Sequence, residues 1–215
     1  MGSVQEKLNN IYSKYWDKIK SLIEANEGLS YPLLISIPEA YLSQKPRLLI
    51  VGQQTNGWCG GSLTVDALLK CYNDFDLGKR YPSTPFWNVT RNLAKKLRMY
   101  PFAWSNLNKC DFNGKRPSKE LEQEIYNKFP VLNGEIELLK PDIVIFFSGP
   151  YYDSHLERIF PECKFINVSG FSERQLCRVK HQGLPPNSYR TYHPQYLRIG
   201  KLEQKVLDKL EAMIT

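Results

Sequence analysis

Two short polar segments concentrate the groups that could bind and polarise a ligand. The first is VGQQTNGWCGG, Val51 to Gly61, in which glycines allow close backbone approach while Gln53, Gln54, Thr55 and Asn56 offer donors and acceptors without charge. It is not a phosphate loop of the G-x-x-x-x-G-K-[ST] kind, because no Lys follows at the required place. The second is SYRTYHPQYLR, Ser188 to Arg198, where His193 can donate to a developing anion and Pro194 fixes the loop that carries it. Between them lies a strand-like run bearing Asn106. Alone, each segment reads as a polar turn, a structural histidine or a strand-end amide; together they predict one polar cavity.

The elements that must position these groups follow from apolar periodicity. RLLIVG (Arg47 to Gly52) is a short apolar run closed by Gly, the pattern of a buried parallel strand, and it returns in Phe102 to Lys109, Asp142 to Gly149 and Lys164 to Gly170. Helical spacing runs from Val4 to Ala25 through Leu8, Ile11, Tyr12, Tyr15, Ile19 and Ile23. It recurs over Phe86 to Leu97 after Ser83 or Thr84 as a cap, over Ser118 to Leu139 with a break at Pro130, and over Ile199 to Ile214. Strands alternating with helices predict a three-layer α/β/α fold around a four-stranded, mostly parallel sheet with right-handed crossovers. In such a sheet the ligand lies beyond the carboxyl ends of the strands, which is where Gly52, Asn106 and Ser148 fall.

The 215 residues suit a single domain spanning 1–215, with the amino-terminal helix (about 4–25) packed on it. No stretch approaches the roughly 18 consecutive apolar residues of a membrane span, and the opening residues are too polar for a signal peptide, so a cytoplasmic protein without a membrane partner is expected. Five cysteines form no C-x-x-C pair and suggest free thiols, with no metal and no cofactor. The net charge of +7 fits an anionic partner, because clustered Lys and Arg release counterions from phosphates.

With these segments in order along the chain, the sequence resembles the uracil-DNA glycosylase superfamily. VGQQT (Val51 to Thr55) is similar to the family's water-activating loop, and TPFW (Thr84 to Trp87) to the segment whose Phe stacks on the extruded base. AWSNLNKC (Ala103 to Cys110) resembles the strand whose Asn reads the base edge, KPDIVIFFSGP (Lys140 to Pro150) the Pro-led third strand, and HPQYL (His193 to Leu197) the loop that stabilises the leaving base and enters the minor groove. The resemblance implies hydrolysis of the N-glycosidic bond of uracil or a related damaged base, without metal, in single- or double-stranded DNA, by a monomer. It implies catalytic roles for Gln54 and His193. Base-binding roles fall to Gln53, Thr55, Phe86 and Asn106, and contact with DNA to Tyr196, Leu197 as the wedge and Arg198.

The departures bear on activity. Gln54 stands where relatives carry Asp, Glu or Asn, and Thr55 where a Pro usually follows; a Gln cannot take a proton from water, although it can hold one in place. Gln195 replaces the Ser expected after the His-Pro pair, and no cysteine precedes Cys59, so the iron–sulfur branch is not implied. The insertion from Gly60 to Ser83 carries Asp66, Asp74 and Asp76, either substitute carboxylates or a solvated face. Basic residues Lys79, Arg80, Arg91, Lys95, Lys96, Arg98, Arg174, Arg178, Lys180, Arg190 and Arg198 would form a positive face if their stretches are neighbours. The rival readings are a domain that binds nucleic acid or a nucleobase without catalysis, and a hydrolase acting on another small nucleoside or ester.

Overall fold

The fold is built around strands whose side chains are buried on both faces. In the computed structural model, which describes residues 2–60, 64–81 and 83–214, β1 (Leu48–Gly52), β2 (Ala103–Asn106) and β3 (Ile143–Phe146) are buried throughout. Such runs satisfy a parallel sheet covered above and below. With β4 (Lys164–Asn167), β5 (Leu176–Lys180) and β6 (Asn187–Thr191) they form a six-stranded sheet in the order β2-β1-β3-β6-β5-β4. The pairs β1/β2, β1/β3 and β3/β6 are parallel, whereas β5 is antiparallel to both β4 and β6. The chain is therefore an α/β protein with a mixed sheet and helices on both sides, not a four-stranded mostly parallel one.

The difference has a physical cause at β6. Its residues NSYRT look polar, yet Ser188, Arg190 and Thr191 are buried. A buried guanidinium is tolerable only when each of its nitrogens is engaged. Arg190 meets this by a two-point pair with Asp153 (2.9 and 2.8 Å) and by donating to the carbonyls of Glu173 and Arg174. The fourth parallel strand of the central block is thus β6, and the Lys164 segment instead forms an exposed outer strand.

The helices position these strands. The first helix, α1 (Val4–Ala25), starts from a capping box in which Glu6 N donates to Ser3 Oγ and Ser3 N to Glu6 Oε2 (3.1 and 2.6 Å), and it buries Leu8, Tyr12, Ile19 and Leu22. After the short α2 (Glu39–Ser43), α3 (Val65–Phe75) lies within the 60–83 insertion, of which residues 61–63 and 82 are outside the described set. Next come α4 (Pro85–Lys96), α5 (Lys119–Lys128), α6 (Leu132–Leu139) and α7 (Asp153–Ile159). Ser118 caps α5 as expected, accepting from Leu121 N at 3.2 Å, whereas the Thr84 hydroxyl donates to Tyr81 O instead of capping α4. The terminal helical stretch is two elements, α8 (Pro194–Ile199) and α9 (Glu203–Ile214), parted by Lys201 at a positive φ of 52°. α1 packs with α3, α5 and α6, and α4 with α8 and α9. No described helix is long and apolar enough to cross a membrane.

Candidate functional site

Parallel pairing brings the carboxyl ends of β2, β1, β3 and β6 side by side, and the candidate residues follow those ends. Gly52 is in register with Asn106, so the close of β1 lies against the close of β2. The absence of a side chain at Gly52 is what makes room: a Cβ there would stand 2.4 Å from Asn106 Oδ1 and 3.2 Å from Phe86 Cε2. The Phe86 ring, at the start of α4, stacks on the imidazole of His193 with centroids 5.7 Å apart and planes 25° from parallel. His193 follows β6 and opens α8. Gln53 Nε2 donates to Ser148 O at 2.7 Å, tying the β1 loop to the end of β3. Phe86, Asn106, His193 and Gly52 therefore meet at one place.

The chemistry of each group is set by its partners. Burial pushes the His193 pKa down to about 4, and its Nδ1 accepts from Gln195 N (3.3 Å), so at neutral pH the ring is uncharged with its proton on Nε2. It is a hydrogen-bond donor and not an acid. Asn106 is buried; its Oδ1 accepts from the Trp104 indole at 3.2 Å, and its Nδ2 has no partner among the described residues. Ser148 Oγ is likewise buried and unpartnered. The Asn106 donor stands at the strand-end cluster, where a ligand can supply its acceptor, whereas Tyr41, Arg47, Trp58, Thr90 and Asn108 carry unpartnered buried polar atoms too.

The loop after β1 is held from behind. Thr55 is buried, and its hydroxyl donates to Asp111 Oδ2 (2.6 Å), which also accepts from Gly57 N (2.9 Å), while Asp111 Oδ1 accepts from Gly114 N (2.7 Å). Thr55 is accordingly a fastening of the turn, in place of the base contact expected of it. Trp58 anchors the far end, edge-on to Trp104 at 5.3 Å. Gln54 Oε1 accepts from the Tyr152 hydroxyl. The Tyr152 ring carries the Arg116 guanidinium at 3.8 Å, and Arg116 is itself held by two hydrogen bonds to Glu122 (2.6 and 2.8 Å). Burial raises the Tyr152 pKa, so its hydroxyl stays protonated and donating.

Several expected residues lie elsewhere. Leu197 is fully buried, because the short α8 turns it onto the core; the exposed residues of that helix are Gln195, Tyr196 and Ile199. It is not placed to enter a duplex. Arg198 is paired with Glu203 at 2.9 Å. Asp66, Asp74 and Asp76 sit on exposed positions, the last two paired with Lys70 and Lys79. The basic stretches are not one face of free cations: Arg190 is buried, Lys96 pairs with Asp208 and Glu211, and Arg91 donates to carbonyls of Leu77, Gly78 and Tyr81. Arg80, Lys95, Arg98, Arg174 and Lys180 remain exposed.

Trp104, Tyr152 and Asp111 were not named from sequence as site residues, whereas Ser148 was noted at the carboxyl end of the third strand. Only Trp104 carried a usable signal, since it stands two residues before Asn106 and so shares its face of β2. Among the described residues no group of three or more His, Cys, Asp or Glu side chains is arranged to hold a metal ion, and none of the five cysteines is in a disulfide. No protein-family model matches the chain, and no curated protein matches it significantly.

Proposed function

We propose that this chain is a divergent uracil-DNA glycosylase-like protein that holds a nucleobase extruded from DNA and hydrolyses its N-glycosidic bond. The observation that carries the reading is the meeting of a neutral His193, an Asn106 amide with a free buried donor and the Phe86 ring at adjoining strand ends. As the bond to the sugar breaks, the electron pair passes to the base, and negative charge spreads onto its carbonyl oxygen. A neutral imidazole whose Nε2 keeps its proton stabilises that charge by hydrogen bonding, without having to donate a proton. Asn106 Nδ2 binds a second base oxygen. Gln54 orients the water whose oxygen joins the sugar carbon, and the proton lost from that water goes to solvent or to the departed base, since an amide does not accept it.

Phe86 and His193 are too close for a base to lie between them as they stand. The imidazole covers the ring face on which a base would stack, the two centroids being 5.7 Å apart. The reading therefore requires His193 to leave that face and meet the base at its edge, where the in-plane Nε2–H reaches a carbonyl oxygen.

A second reading is favoured by one observation. The Gln54 carboxamide oxygen already accepts from Tyr152, which leaves its amino group as the part free to meet a water. A site so arranged binds a base more readily than it activates water, and corresponds to a nucleobase-binding domain without turnover. Oligonucleotides containing uracil, hypoxanthine or a thymine mismatch, treated with protein and then alkali, separate the two. Strand scission that falls about 10²- to 10³-fold in His193→Ala is the expected result for catalysis. Retained binding with no scission on any base selects the second reading, and absence of both removes the two together.

A further inference from the structure

We propose that Trp104 is a positioning residue: its indole fixes which way the Asn106 amide faces, so that the site offers an amino group, and not a carbonyl, to its ligand. This rests on the reading that the site holds a base. An indole nitrogen only donates, so the amide atom 3.2 Å from Trp104 Nε1 must be the oxygen. The opposite rotamer would set two donors against each other in a buried place, Asn106 being only 1% exposed. The amide is thus locked with Oδ1 towards Trp104 and Nδ2 unpartnered.

Two further features support the lock. Trp104 is itself immobilised: its ring is edge-on to Trp58 (5.3 Å) and Trp87 (4.8 Å), and its backbone N and O are both bonded to the Tyr72 hydroxyl (3.0 and 3.1 Å). Gly52 lacks the Cβ that would stand 2.4 Å from Oδ1 in that position and push it away. A ligand carbonyl beside an N–H then matches the site, the carbonyl accepting from Nδ2 and the N–H using the second lone pair of Oδ1. A ring nitrogen beside an exocyclic amino group would need the amide reversed, and the indole prevents this. Discrimination between a keto and an amino pyrimidine is therefore set by a residue two positions away on the same strand, which touches neither.

The test is a titration of the full ¹⁵N-labelled chain with free uracil and free cytosine, followed by NMR. The wild type is expected to bind uracil at least about tenfold more tightly, the worth of one buried hydrogen bond left unmade. In Trp104→Phe, which keeps an aromatic ring and removes the donor, the ratio is expected to fall to within about threefold, uracil weakening and cytosine gaining. A merely structural defect would weaken both bases alike and leave the ratio unchanged, which overturns the proposal. Should that variant fail to fold, the wild type decides. Saturating uracil is expected to shift the Asn106 Nδ2 resonances while the Trp104 indole proton stays protected from exchange; an unmoved Nδ2 pair or a freely exchanging indole proton overturns the proposal. If neither base binds the wild type at millimolar concentration, the base-site reading itself falls, and this inference with it.

Discussion

His193 and Gly52 act through opposite properties, one through a withheld charge and the other through a missing side chain. With a folded pKa near 4 against about 6.5 unfolded, His193 takes up a proton more readily in the unfolded chain. Its neutral form contributes about 3 kcal/mol to stability above pH ~6.5, and that contribution is lost as the pH falls through 4. Following its imidazole C–H resonance should give a midpoint near 4, and the urea midpoint of the wild type should drop over this window by more than that of His193→Phe. Gly52→Ala is the complementary probe. The added methyl meets the Asn106 amide at 2.4 Å and the Phe86 ring at 3.2 Å, so about 1–3 kcal/mol of stability should be lost. Uracil affinity should fall with it, since the same methyl pushes Oδ1 away from Trp104; a calorimetric titration beside a urea melt measures both.

At the scale of elements, legibility followed apolarity. α1 was readable to its ends from a stripe of apolar residues at helical spacing, and the structure adds a capping box at Ser3. β1 and β3 were readable because parallel strands buried on both faces are apolar runs. β6 was not, since its burial depends on Asp153 and on two carbonyls distant in sequence, and no local pattern announces a buried Arg190. The same limit hid a second buried charge. Lys109, after β2, bonds both oxygens of Glu135 on α6 (2.7 and 2.6 Å), and Tyr12 from α1 and Ser105 from β2 donate to the same carboxylate (2.9 and 3.0 Å). Burial lowers the Lys109 pKa, with Glu135 opposing. Glu135→Leu leaves an ammonium buried without a counter-charge and should cost about 3–5 kcal/mol, whereas Glu135→Leu with Lys109→Met should recover most of it. Urea midpoints of the two variants check this, and equal losses would remove the pairing as the cause.

For the whole molecule, the net charge of +7 is distributed differently from what the linear order of its lysines and arginines suggests. Several of those cations are consumed internally, so the part left for an anionic strand is smaller than the sequence implies. Affinity for an oligonucleotide should still fall at least about tenfold between about 50 and 200 mM salt, which fluorescence anisotropy measures. A salt-independent affinity would place the contact on the bases instead. The candidate site was legible as a set of segments but not as an arrangement. Asn106 and His193 were picked out by residue type and Phe86 through the family resemblance, while their neighbours Trp104, Tyr152 and Asp111 are ordinary residues whose part depends only on what lies opposite them.

Asp111 also decides where the molecule can give. Its carboxylate stitches the turn behind β1 to the segment after β2, joining Thr55, Gly57 and Gly114 through one side chain. On the proposed reading a bound base takes the Phe86 face that the His193 imidazole covers, so the displacement falls on His193 and on the α8 it opens. Base binding should therefore be reported by Tyr196, exposed on α8 and 6.0 Å from Tyr192, more than by the turn that Asp111 fastens.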